Sequence, residues 1–150
     1  MQINQATDYA FRAVLYLAQQ PPGTVAEAQV IACQQVVPMR YLLKIMPSLI
    51  RAGLVRSQRG SGGGYALARG PQDISLLDII EAIEGPISLN RCLTDPDSCS
   101  RQAASFCQVH QVLADIQANL IRDLGSYTIA GLLSVGEGRD TDNDFYSHPK

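Results

Sequence analysis

No apolar run in this sequence approaches the roughly 20 residues that a helix needs to span a bilayer, so no membrane segment is expected. The N-terminal stretch is amphipathic and lacks the basic start, apolar core and small-residue cleavage site of a secretory signal, which points to a cytoplasmic location. Internal repeats are absent. Gly62-Gly63-Gly64 is not followed by lysine and Ser/Thr, which excludes a Walker phosphate loop. The close cysteine pairs typical of structural zinc are missing too.

Acidic residues are scarce in the first half. Residues 1–70 hold seven Lys/Arg against Asp8 and Glu27, a net charge of +5, while residues 71–150 hold five against twelve acids, a net −7. The overall charge of −2 therefore hides an asymmetry that suits one half to a polyanion. With 46% apolar and 17% charged residues the chain is globular, and 150 residues suffice for one well-cored domain but not for two of ordinary size.

What is present is mostly helical. Ile3, Ala6, Ala10, Val14, Leu17 and Ala18 predict a helix over 3–19, stopped by Pro21-Pro22-Gly23. Thr24 and Glu27 have the spacing of a capping box for a second helix reaching about Cys33. Pro38 suits the first position of a third helix, with Tyr41, Leu42, Ile45, Leu49 and Ile50 on one side and Arg40, Lys44, Ser48 and Arg51 largely on the other. Pro47 predicts a kink or break in it, and Gly53 a C-terminal cap. Residues 54–59 and 65–68, around the glycine-rich turn, read as a hairpin. A short helix over 74–84, a loop over 91–103, a long helix over 105–127 and a helical turn near 129–133 follow. The long helix has a stripe of Val109, Val112, Leu113, Ile116, Leu120, Leu124 and Tyr127. The stretch from 134 to 150, with His148, reads as a disordered tail. The fold class expected is mainly α: a winged helix-turn-helix with a two-stranded wing and a long C-terminal dimerisation helix.

Two constellations carry chemistry. Arg40 and Lys44 lie one turn apart at the start of the third helix, where a recognition helix meets base edges in the major groove. Arg59 stands at the root of the wing, placed to reach into a minor groove, while the wing's backbone amides near Ser61 and Gly62 suit phosphate, and Tyr41 belongs to the same surface. The second constellation is Cys92, Cys99 and Cys107, three thiols within sixteen residues, with His110 three residues beyond the last. In a reducing compartment these read as metal or redox chemistry before disulfides. Cys107 and His110 share one face at the start of a helix. The spacing alone leaves an iron–sulfur cluster, a Cys3His zinc site and a redox thiol set all open. A catalytic Cys107–His110 dyad is disfavoured because such partners normally come from distant parts of a fold, and no enzyme is expected. Cys33, in an apolar stretch, reads as a buried structural cysteine.

These features together resemble the Rrf-type winged-helix regulators. The likeness covers about residues 1–133 and rests on Thr7-Asp8-Tyr9-Ala10 with Ala13 to Ala18, Tyr41-Leu42, Gly53-Leu54-Val55 and, above all, Arg59-Gly60-Ser61-Gly62-Gly63-Gly64-Tyr65. Arg91-Cys92 followed by two more cysteines is similar to the cluster-binding members; members without a cluster, such as CymR, lack that trio. The resemblance implies a DNA-binding part over about 1–85, a cluster loop over 91–110, and a homodimer joined through the helix near 105–127 on a pseudo-palindromic double-stranded operator. It implies an iron–sulfur cluster, 2Fe–2S in preference to 4Fe–4S. In the IscR-like branch the ligands match Cys92, Cys99, Cys107 and His110. In the NsrR-like branch the fourth ligand is an aspartate from the partner subunit, at the position of Asp8. The intervals between cysteines exceed the usual five residues, but Cys-x-x-His is intact, which favours His110. The reading is a cluster-, redox- or nitric-oxide-sensing transcriptional regulator. The alternatives are a small iron–sulfur electron carrier and a zinc-stabilised DNA-binding protein with no sensing role.

Overall fold

The computed structural model describes residues 2–102 and 104–136. Helix α1 (Gln5–Gln19) is opened by Asn4, whose Oδ1 accepts the Thr7 N–H at 2.9 Å, and it stops before the paired prolines. Its small residues Ala10 and Ala13 are fully buried, so helices α2 (Ala28–Gln35) and α3 (Met39–Arg51) pack close against it. Leu42, Ile45, Met46 and Leu49 of α3 complete the centre of the core with Val14 and Ile31. Helix α3 ends where Gly53 takes a left-handed φ of 71°, with the Leu54 N–H bonded to the Leu49 carbonyl at 3.0 Å and the Gly53 N–H to that of Ile50 at 2.9 Å.

Buried Leu54 and Val55 then lead into strand β1 (Val55–Gln58), which pairs antiparallel with β2 (Gly64–Leu67) in the register Val55 with Leu67 and Gln58 with Gly64. Ala26 adds a bridge to the far side of β2, exchanging two 2.8 Å hydrogen bonds with Tyr65. This crossing explains Gly64. A Cβ there would lie 2.1 Å from the Ala26 carbonyl oxygen, so only glycine lets the strand pass.

The same bridge overturns the capping box expected at Thr24 and Glu27. Ala26 is held extended against β2, and α2 starts after Glu27, whose side chain makes no capping bond. Pro38 is the N-cap of α3 and not its first residue. The break expected at Pro47 is absent, and α3 runs unbroken through it. Pro47 and Leu43 both lie on the exposed side, so water can satisfy the Leu43 carbonyl that proline leaves without a donor. Tyr41 stands at the exposed margin of α3 and not among its buried residues, and Cys33 is exposed and not buried.

After a 3-10 turn at Pro71–Asp73 comes α4 (Leu76–Glu84), opened by a true capping box. Asp78 accepts from the Ser75 N–H at 2.8 Å, and its own N–H donates to Ser75 Oγ at 3.2 Å. The span 91–103, expected as loop, contains α5 (Arg91–Thr94) and a 3-10 turn at Pro96–Ser98. Helix α6 (Gln108–Ser126) starts three residues later than expected. The chain then returns to the start of α4, where Leu76 N–H bonds Tyr127 O and Ile129 N–H bonds Ile74 O, with Ile74 and Ile129 fully buried. Helix α7 (Ile129–Gly136) runs past the boundary expected at 133, while 137–150, with His148, lies outside the described residues. The architecture is the expected one: mainly helical, with a winged helix-turn-helix over α1–β2. Among the described residues no helix is long and apolar enough to cross a membrane.

The stripe on α6 divides in two. Leu113, Leu120 and Leu124 are half-buried, and α6 packs on α4 and α5. Val109, Val112, Ile116 and Tyr127 form a second line that this chain does not cover, with 64%, 57%, 49% and 58% of their surfaces exposed.

Candidate functional site

Two places in the fold hold the residues singled out by sequence. The first is the surface built by α3 and the wing. Arg40 and Lys44, four residues apart, are both exposed, as are Arg59, Ser61 and Gly62 at the end of β1 and the tip of the hairpin. Among the described residues the one ion pair joins Asp8 and Arg12 at 2.7 Å, so none of these residues gives Arg40, Lys44 or Arg59 a carboxylate partner. Cations left uncompensated on one helix face and one hairpin form the electrostatic footprint of a polyanion site. The turn is closed by Gly63 N–H to the Gly60 carbonyl at 3.0 Å, which leaves the Ser61 and Gly62 amides outside that bond.

Arg40 is not loose. Its guanidinium lies 4.8 Å from the centre of the Tyr41 ring and its Nη2 donates to the Tyr41 hydroxyl at 3.4 Å. Tyr41 in turn meets the buried ring of Tyr9 at 5.7 Å, and Arg12 lies 5.7 Å over Tyr9. Sequence reading singled out Arg40 and Tyr41 for this surface and gave no part in it to Tyr9 or Arg12. Their spacing on α1 places them one turn apart, but nothing in it says which face meets α3. A second missed group is Thr7, fully buried, whose hydroxyl donates to Glu84 Oε1. The same oxygen accepts the Asn4 N–H at 3.0 Å, which ties the start of α1 to the end of α4.

The second place is the junction of α5 and α6. His110, in the first turn of α6, has its Nδ1 3.4 Å from Cys92 Sγ on α5. Cys107 is the N-cap residue of α6, with its side chain free of any capping bond, and Cys99 closes the 3-10 turn before it. All three cysteines are partly buried. The approach to α5 is fixed from α6: Gln117, two turns beyond His110, accepts the Leu89 N–H at 2.9 Å, and Ser88 and Thr94 hydroxyls meet at 2.7 Å. Gln117 shares the His110 face by its i, i+7 spacing, a signal available in the sequence and not used. Among the described residues no group of three or more His, Cys, Asp or Glu side chains is drawn together as a metal site. Cys92 and His110 are in contact. Asp8, the alternative ligand, is engaged by Arg12.

Comparison with known proteins places these features in context. A family model described as Rrf2, iron-dependent transcriptional regulator, matches residues 3–134. A Rhodobacter capsulatus protein described as an HTH-type transcriptional regulator, rrf2-like, is 32% identical over 142 residues, covering 89% of this chain and 93% of that one. Among solved structures, T. potens IscR superposes with a TM-score of 0.73 at 28% identity, over 98% of this chain and 97% of that one. CymR, the global cysteine regulator of B. subtilis, superposes with a TM-score of 0.65 at 27% identity, over 95% and 99%.

Proposed function

The chain belongs to the Rrf2 family of transcriptional regulators, and from that premise we propose that it is a cytoplasmic homodimer whose hold on operator DNA is set by an iron–sulfur cluster. The family's members regulate transcription and are not enzymes.

The observation that carries the cluster reading is the 3.4 Å contact of Cys92 with His110, beside Cys107 at the head of the same helix. Three thiols and one imidazole are the donor chemistry that iron–sulfur clusters take, and the partly buried setting shields them from bulk water. Cys92, Cys99, Cys107 and His110 would hold the cluster, favoured as 2Fe–2S, with Asp8 the alternative fourth ligand. When bound it would supply a redox- and iron-responsive centre. The chain's own part is to hold α5 against α6 through Gln117 and Leu89, so that loading or loss of the centre changes how the 91–107 segment sits.

On DNA, Arg40 and Lys44 reach base edges in the major groove while Tyr41 flanks them. Arg59 reaches into the adjacent minor groove, and the Ser61 and Gly62 amides meet the backbone beside it. Two copies joined through the exposed line on α6 present two recognition helices to successive major grooves about 34 Å apart, which calls for a pseudo-palindromic double-stranded site.

A second reading is favoured because, among the described residues, no group of three or more His, Cys, Asp or Glu side chains is drawn together as a metal site. It is a family member that senses without a cluster, through thiols or a structural zinc ion. Anaerobic purification with absorption spectroscopy and iron and sulfide analysis separates them. A red-brown protein carrying both elements supports the cluster; a colourless protein with stoichiometric zinc, or no metal, overturns it.

A further inference from the structure

We propose that Tyr41 is the positioning residue for Arg40, holding its guanidinium in the orientation that reads the operator, with Tyr9 as the fixed base of the stack. The inference rests on the reading of Arg40 as a base contact and deepens it. It changes the part given to Tyr41 from one more residue at the DNA surface to the residue through which Arg40 acts.

The geometry is a layered one. Tyr9 is 8% exposed and belongs to the core cluster with Ala10, Ala13 and Leu42, so its ring cannot drift. Tyr41 rests on it at 5.7 Å with the two planes inclined by 49°, an ordinary tilted aromatic pair. Arg40 lies on the outer margin of that pair at 4.8 Å and donates to the Tyr41 hydroxyl. Neighbours in sequence on a helix do not face one another by default, so this contact requires Arg40 to turn back over the adjacent ring. An exposed arginine otherwise samples many rotamers, and binding DNA must freeze them. Stacking restricts that freedom in the unbound protein while leaving the remaining guanidinium donors to the groove. Arg12 occupies the opposite end, over Tyr9, and is fixed by Asp8 at 2.7 Å and by a 3.5 Å bond to the Gln35 carbonyl at the end of α2. The stack is thus anchored to all three helices of the DNA-binding unit.

The test uses the full chain and two labelled duplexes: one selected by the unmodified protein from a random-sequence pool, and one scrambled from it. Tyr41→Leu should weaken binding to the selected duplex about two- to five-fold, the range that an exposed cation–π contact is worth, and weaken binding to the scrambled duplex by clearly less. Tyr41→Phe keeps the ring and should retain most of the affinity. In an Arg40→Ala background, Tyr41→Leu should add nothing, and the thermal midpoints of the variants should stay close. An equal loss on both duplexes, or the same loss with and without Arg40, overturns the proposal and makes Tyr41 an independent phosphate contact. If Arg40→Ala weakens binding and Tyr41→Leu does not, the positioning role alone falls. If Arg40→Ala itself has no effect, the recognition surface falls with it.

Discussion

Replacing Ile116 with glutamate should separate two copies of this chain without unfolding either. Val109, Val112, Ile116 and Tyr127 line one side of α6, each with about half or more of its surface exposed. Fully burying such a side chain is worth about 1.5–3 kcal/mol, so covering the exposed half of Ile116 contributes roughly 1 kcal/mol per copy. A two-fold interface counts the change twice, and two carboxylates forced into an apolar seam without partners cost several kcal/mol more. The sum, about 5 kcal/mol or above, corresponds to a loss of at least roughly a thousand-fold in dimer affinity. Ile116→Ala removes only the apolar part and should cost about 2 kcal/mol, or roughly thirty-fold. Ala118→Glu, on the opposite side of the helix, should change nothing. Light scattering and sedimentation equilibrium at micromolar concentration read the mass, and thermal denaturation checks that each variant is folded. A monomer for the unmodified protein, or a dimer of unchanged strength for Ile116→Glu, would refute the assignment of this face.

Cys92→Ala, Cys99→Ala and Cys107→Ala should each purify with most of the iron lost, whereas Cys33→Ala, an exposed thiol on α2, should keep it; three single variants with full iron and sulfide would remove the ligand assignment. His110→Ala should loosen cluster retention while Asp8→Ala preserves it, and bleaching by Asp8→Ala alone would move the fourth ligand to the partner subunit. Thr7→Val removes a buried hydroxyl bonded to Glu84 and Asn4. Because Glu84 is exposed and keeps its bond to the Asn4 N–H, the cost should be moderate, about 1–2 kcal/mol, or a fall of a few degrees in thermal midpoint. An unchanged midpoint would mean that the tie between α1 and α4 contributes nothing.

The helices and the wing were legible because each rests on local chemistry: the paired prolines after α1, the apolar period of α3, the glycine run between two short strands. What escaped was non-local. The Thr24–Glu27 capping pattern is genuine as spacing, but the bridge between Ala26 and Tyr65 holds that backbone extended, and no window around residue 24 contains Tyr65. Pro47 was read by its cost in an isolated helix. Burial of Met46 and Leu49 on one side, with solvent on the other, makes that cost bearable. The stripe on α6 was seen as one seam because periodicity counts apolar residues and not their partners. Packing on α4 and α5 divides it into a line that serves this chain and a line that this chain leaves exposed.

The candidate site was legible in composition more than in geometry. Thiols and a histidine could be enumerated from the sequence, but which of them meet depends on where α5 is held, and that is decided by Gln117 reaching back to Leu89. The competition between His110 and Asp8 has the same character. Both suit iron by chemistry, and a single chain ranks them by what each must give up. His110 already lies against Cys92, so recruiting it requires no partner to be displaced beyond that thiol. Asp8 is held by Arg12, which also lies over Tyr9 and reaches the end of α2, so drawing its carboxylate away would disturb the base on which Tyr41 and Arg40 rest. A histidine-ligated centre would leave the surface of Arg40 and Tyr41 undisturbed and would be linked to it through α6 and a partner copy. An aspartate-ligated one would act on it directly. The order of ligand preference is therefore also a statement about the route by which the signal reaches DNA.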